Sequence, residues 1–142
     1  MRDQLHEIVE EFADTPRDLR LPLLLDFSRR VPPLPERMAG RHDLMEQVVE
    51  CQTPFFVAVE RDADGRMRLF FDAPPEGPTT RGFAGVLLEG LDGATPEEVL
   101  DTPNDFYAHM GLDELITPLR LRGMGAILGR VKRLVAEAQA AA

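Results

Sequence analysis

Val48-Val49-Glu50-Cys51-Gln52-Thr53-Pro54-Phe55-Phe56-Val57-Ala58-Val59 is the stretch whose reading decides the fold. Its two ends are rich in Val and Phe, residue types that favour pleated, half-buried backbone. Pro54 cannot donate a ladder hydrogen bond, so Cys51-Gln52-Thr53-Pro54 reads as the break between two short strands. The only cysteine of the chain therefore falls on a loop held at both ends by rigid scaffold, where reactive groups often sit. A free cysteine is equally at home as a small buried hydrophobe, and the loop alone does not decide between the two.

Outward from this stretch, strands are expected over Met45–Glu50, Phe55–Arg61 and Arg66–Asp72. Asp62-Ala63-Asp64-Gly65 joins the last two, and Asp-Gly between alternating runs is a hairpin signal. Met67, Leu69 and Phe71 alternate with Arg66, Arg68 and Phe70, which gives the strand one apolar face. Upstream, Leu5, Ile8, Val9 and Phe12 share one face of an amphipathic helix that ends near Asp14-Thr15-Pro16. A second helix is expected from about Leu21-Pro22, burying Leu23, Leu24 and Phe27, until Pro32-Pro33-Leu34-Pro35 stops it. Downstream, Thr79 or Thr80 caps a helix running to about Gly90. Thr95-Pro96-Glu97-Glu98 carries a capping Thr, a first-turn proline and a Glu at the third position. A brief helix near Asp105–Met110 precedes a long last helix from about Leu119, burying Leu121, Met124, Ile127, Leu128, Val131 and Leu134. The glycines of Gly82-Phe83-Ala84-Gly85, and those at 123, 125 and 129, read as places of close helix packing rather than as a phosphate loop. The order is that of an α+β domain: a three-stranded, mostly antiparallel sheet with helices packed against it, spanning residues 1–142 as a single domain.

The formal net charge of -9 speaks against a nucleic-acid or anionic-membrane partner, since both select basic faces. No apolar run approaches membrane-spanning length, and Met1-Arg2-Asp3-Gln4-Leu5-His6-Glu7 lacks the apolar centre of a secretion signal. One cysteine cannot form an internal disulfide, so the expected setting is the cytoplasm with Cys51 reduced. His6, His42 and His109 lie far apart and far from Cys51 in sequence, without the close pairs of a zinc site. A nucleophile pair of Cys51 with His42 or His109 remains open on sequence grounds, because spatial neighbours need not be sequence neighbours.

Several blocks in order resemble one family. Cys51-Gln52-Thr53 after a Val-rich strand, an aromatic-aliphatic strand beginning at Phe55, and Asp72 closing a third strand are similar to the SufE family of sulfur acceptors. So are Thr80-Arg81-Gly82 before a leucine-rich helix, Gly93-Ala94-Thr95-Pro96-Glu97-Glu98-Val99-Leu100, Phe106-Tyr107 before Gly111-Leu112, and Thr117-Pro118-Leu119-Arg120-Leu121-Arg122-Gly123-Met124. Together they cover roughly residues 5–135. The resemblance implies a SufE-like fold and a carrier that accepts sulfur on Cys51, as a persulfide, from a pyridoxal-phosphate (PLP) cysteine desulfurase of the SufS type. It further implies stimulation of that desulfurase and delivery of the sulfur to an iron–sulfur scaffold of the SufBCD type. No cofactor is bound by the carrier itself, since the PLP belongs to the desulfurase and the persulfide is transient. Cys51 matches the family's acceptor cysteine, and Arg120 matches the arginine of its Ser/Thr-Pro-x-Arg segment. Gln52, Thr53, Phe55 and Asp72 fall in the surrounding loop and pocket blocks. The chain departs from the family pattern at Glu50, usually glycine, at Thr53, usually serine, and at Phe55-Phe56, preceded by Pro54, where Val-Trp is usual. Pro54 fixes the exit angle of the loop, so these departures bear on how Cys51 is presented to a partner.

The residues themselves point the same way. A thiolate does the attacking, and an ordinary cysteine has a pKa of about 8.5. Glu46 and Glu50 are expected to hold it up by like-charge repulsion, leaving a quiet thiol that Arg120 or a partner must activate. Phe55 and Phe56 are expected to shield a loaded persulfide from water. Two other classes stay open: a stand-alone one-cysteine thiol enzyme, which needs a low resting pKa, and a non-catalytic adaptor with Cys51 as core filler.

Overall fold

The computed structural model describes residues 1–51 and 53–141. Among these, five α-helices run in chain order as α1 (Asp3–Asp14), α2 (Arg17–Arg29), α3 (Pro78–Leu91), α4 (Pro96–Leu100) and α5 (Pro118–Ala140). The strands β1 (Glu46–Gln47), β2 (Phe56–Arg61) and β3 (Met67–Asp72) form an antiparallel sheet in the order β1-β2-β3. The expected α+β architecture is therefore the observed one. Glu46 faces Val57 across the first pair, and Phe56 to Arg61 pair in register with Asp72 to Met67 across the second. Gly65 turns the hairpin at φ +81°, and Asp62 Oδ1 accepts from the Asp64 and Arg66 N–H groups at 2.9 Å.

Alternation on β3 puts Met67, Leu69 and Phe71 into the core, as expected. The outer edge of β3 is not left open. Met67 exchanges backbone hydrogen bonds with Gly93 and Ala94 at 2.7 Å, and Asp92 Oδ1 accepts from the Leu69 N–H at 2.9 Å. Edge groups covered in this way cannot recruit a foreign strand. Helix α1 buries the expected Leu5, Ile8, Val9 and Phe12, and α5 lies across β2.

Glycines set the helix packing. A Cβ at Gly82 would stand 2.6 Å from Leu24 Cγ, and one at Gly85 would have the Phe27 carbonyl carbon 2.7 Å away. Only hydrogen at these positions lets α3 approach α2. Arg81 then ties three elements together, donating to the carbonyls of Ser28 (3.0 Å), Ala73 (2.5 Å) and Val31 (3.1 Å). These bonds fix the start of α3 against the end of β3 and the end of α2.

Several boundaries differ from the sequence reading. The first strand shrinks from Met45–Glu50 to Glu46–Gln47, because the chain turns after Val48 and the Cys51 N–H bonds the Val48 carbonyl at 3.1 Å. Helix α2 begins at Arg17 rather than near Leu21, with Pro22 inside it. The exposed position of Pro22 leaves the carbonyl of exposed Asp18 to water, so the lost hydrogen bond is tolerated. Helix α3 is capped by Gly77 with Pro78 as its first residue, not by Thr79 or Thr80; the fixed φ of proline suits that position. Thr95 and Glu98 do form the expected reciprocal capping box. The brief helix expected near Asp105–Met110 is present as a 3-10 helix over Phe106–Met110, and Gly111, at φ +72°, links it to another 3-10 turn at Leu112–Glu114. A Cβ at Gly129 would meet nothing within 4 Å, so that glycine is not part of a packing face.

Candidate functional site

Cys51 comes to rest beside α5 because the chain turns inward after β1. Val48 is buried and still bonds across to the Phe55 carbonyl at 2.8 Å, while Val49 and Glu50 swing out to solvent. Cys51 then turns back in and is 9% exposed. The Sγ atom sits 3.7 Å from where a Cβ on Gly123 would be, so the absence of a side chain at Gly123 leaves space beside the sulfur.

The thiol forms part of a cleft of about 150 Å³. One wall is the Cys51 loop, with Glu50 and Thr53; another is the start of α3, with Glu76, Gly77, Pro78, Thr79 and Thr80. The first two turns of α5 close it with Leu119, Arg120 and Gly123. Thr117 caps α5 by accepting from the Arg120 N–H, which places Arg120 in the first turn. Arg120 and Gly123, three residues apart, then face the same side. The Arg120 side chain is exposed, and among the described residues no hydrogen bond or ion pair engages its guanidinium. The Thr53 hydroxyl oxygen is buried at the cleft and, among the described residues, has no hydrogen-bond partner.

Burial pushes the Cys51 thiol up to about 11, and the neighbouring charge of Glu50 adds to the effect. The sequence points to Glu46 and Glu50 together as the cause. In the structure desolvation is the larger cause, and Glu46 is turned away to pair with Arg133. Arg120 and the positive end of α3 are the electropositive features of the cleft, set against Glu50 and Glu76. The resting thiol is protonated at neutral pH.

Not every expected pocket residue lies here. Phe55 is fully buried and packs against Phe71 at a ring-centroid distance of 5.8 Å, so it belongs to the core beneath the loop. Phe56 faces the other side of the sheet, stacked on His42 at 3.7 Å. Asp72 holds His42 Nε2 at 2.7 Å and does not line the cleft. That pair and the stacked ring account for His42, and among the described residues no histidine lines the Cys51 cleft. Gln52 lies outside the described residues. The contribution of the start of α3 is not evident from the sequence, although Gly77-Pro78-Thr79-Thr80 carries the signal of a helix beginning there. Among the described residues no group of three metal-ligating side chains comes together, and no helix is long and apolar enough to cross a membrane.

Comparison with known proteins covers almost the whole chain. It is 48% identical over 134 residues to an uncharacterized SufE-like protein of Mycobacterium tuberculosis, covering 94% of this chain and 92% of that one. The cysteine desulfuration protein SufE of Plasmodium vivax is 26% identical over 132 residues, covering 91% of this chain and 51% of the longer Plasmodium protein. The solution structure of a hypothetical protein from Thermus thermophilus superposes with a TM-score of 0.87 at 43% identity, covering 99% of this chain and 98% of that one. The model of the SufE family, described as an Fe-S metabolism associated domain, matches residues 6–135, and the chain belongs to that family.

Proposed function

We propose that this protein is a sulfur carrier that takes up sulfane sulfur on Cys51 from a cysteine desulfurase and stimulates that enzyme. The observation that carries this reading is a single thiol, held protonated by burial and, among the described residues, without a histidine beside it, in a cleft smaller than a usual small-molecule site. Small-molecule sites usually occupy about 300–1,000 Å³, and this one has about 150 Å³. A stand-alone thiol enzyme activates its nucleophile by a depressed pKa or an adjacent base such as histidine; here the thiol pKa is raised instead, and among the described residues no histidine lines the cleft. The name of the Plasmodium relative, cysteine desulfuration protein, supports sulfur transfer as the role.

The transfer is a thiol–persulfide exchange. The Cys51 thiol gives its proton to water or to a base of the donor as it enters the donor's site. Its thiolate then attacks the terminal sulfur of the donor persulfide. An S–S bond forms on Cys51 as the donor's S–S bond breaks, and the donor cysteine leaves as a thiolate. No net oxidation occurs. Arg120 and the first turn of α3 face the anion that results, and a guanidinium keeps its charge in such a setting. With no second cysteine in the chain, the loaded sulfur cannot be lost to an internal disulfide. It passes on by the same exchange to a thiolate of a recipient, for which an iron–sulfur scaffold of the SufBCD type is our candidate. The carrier needs no resident cofactor for this chemistry; the PLP acts in the donor, of the SufS type.

Intact-mass analysis after mixing the protein with a desulfurase and cysteine tests the reading. Wild type is expected to gain one sulfur atom. Cys51→Ser is expected to bind the desulfurase but gain none, and Arg120→Ala to load roughly tenfold more slowly with an unchanged fold. Wild type that gains no sulfur, or Cys51→Ser that stimulates desulfurase turnover as well as wild type, overturns the carrier reading.

A further inference from the structure

We propose that Arg130 is a positioning residue, a latch that holds the Cys51 loop closed by gripping the Gln47 carbonyl and the Glu50 carboxylate together. The proposal rests on the reading of Cys51 as the reactive group and adds to it what controls access to that thiol.

The ladder that anchors this part of the chain is very short. Strand β1 contributes Glu46 and Gln47, and Val48 adds one more bond to Phe55. Beyond Val48 the backbone leaves the sheet, and Val49 is 67% exposed. The turn is then closed by the Cys51 N–H on the Val48 carbonyl at 3.1 Å. Arg130, two turns along α5 from Gly123 and only partly exposed, reaches across to both sides of this turn. Its Nη1 donates to the Gln47 carbonyl at 2.8 Å and its Nη2 to Glu50 Oε1 at 3.2 Å. One planar guanidinium thus brackets the residues that lead into Cys51, a geometry a lysine cannot copy. Arg133 pairs with the neighbouring Glu46, which Arg130 Nη1 approaches only at 3.8 Å, while Arg130 Nη2 is directed to Glu50.

The latch is built to open. The Glu50 side chain is 48% exposed, and ion pairs at such positions are individually weak. A partner that offers a cation to Glu50, or an anion to Arg130, competes for the grip directly. With the grip gone, what holds the turn before Cys51 among the described residues is its own 3.1 Å bond and the burial of the sulfur itself.

Full pH–rate profiles for iodoacetamide alkylation of wild type, Arg130→Gln, Glu50→Gln and the double variant test this, with the fold checked by circular dichroism. The high-pH limiting rate reports access to the thiolate, and the midpoint reports its pKa. A latch requires both single variants to raise the limiting rate, by roughly 3–10-fold. The double variant should be no faster than the faster single, because both cut the same link. Arg130→Lys should recover only part of the closure. If Arg130 merely screens Glu50, the two variants shift the midpoint in opposite directions and leave the limiting rates at the wild-type value, and the latch is refuted. Alkylation needs no desulfurase, so this outcome is independent of mass gain. A protein that takes no sulfur can still show the latch, and a working carrier can lack it.

Discussion

Raising the pH is the most direct perturbation of the Cys51 environment, and its consequences can be worked out in advance. The thiol moves from 9.0 to about 11 on folding. Each pH unit below the pKa costs a factor of ten in thiolate, so at pH 8 the folded protein carries about 100-fold less thiolate than the unfolded chain. A more basic thiolate is also a better nucleophile, by about 6–10-fold over two units. Titration alone therefore slows alkylation about 10–15-fold, and the 9% exposure of Cys51 slows it further. Iodoacetamide labelling followed by mass should rise about tenfold per pH unit until close to pH 11 in the folded protein, and level off near pH 9 in denaturant. The same shift bears on stability. The folded state binds the thiol proton more tightly than the unfolded state, so the stabilisation is fully present below pH 9. It is lost as pH rises through about 11. Two units set an upper limit of ~2.7 kcal/mol, which partial solvent screening reduces to roughly 1–2 kcal/mol. Denaturant unfolding of wild type against Cys51→Ala isolates this contribution from that of other groups. A folded-state midpoint at or below 9, or equal pH dependence of the two proteins, refutes the account of a thiol silenced by burial.

Two glycines offer opposite tests. Gly85→Ala puts a methyl group into the backbone of Phe27, and forcing α2 and α3 apart should cost roughly 3 kcal/mol and lower Tm by about 10 °C; an unchanged melting curve would show that the helices are not held at that distance. Gly123→Ala should leave stability equal or raise it by about 0.5–1 kcal/mol through helix propensity, because the new Cβ stands at an ordinary 3.7 Å from Sγ. It should nevertheless slow sulfur loading several-fold, since the second sulfur of a persulfide, about 2.05 Å from the first, needs that space; loading at the wild-type rate would place the carried sulfur elsewhere.

Local chemistry that acts within a few residues is legible in the sequence alone. The face of α1, the Asp64-Gly65 turn, the alternation of β3 and the Thr95–Glu98 capping box each depend on spacing along the chain, and each appears as the spacing requires. Close packing at Gly82 and Gly85 is also readable, because few other roles explain two glycines one turn apart in a leucine-rich helix. The loop position of Cys51 follows from Pro54 and the flanking strand formers, and Arg120 from its matching motif.

Direction and distance across the chain are decided only by the tertiary structure. Phe55 and Phe56 are adjacent and chemically identical, yet the pleat sends one into the core and the other onto His42. Nothing in their types says which, because the face is set by register with β3. Glu46 and Glu50 look like equivalent neighbours of Cys51 until α5 brings Arg133 to one and Arg130 to both. The start of α3 joins the cleft because Arg81 binds carbonyls of three separate segments, a meeting with no sequence periodicity to announce it. Sequence patterns report which surfaces are apolar and where the backbone can turn, since those are properties of single residues and their near neighbours. The pKa of Cys51 and the walls around it are sums over groups that only the packed helices and sheet bring within reach.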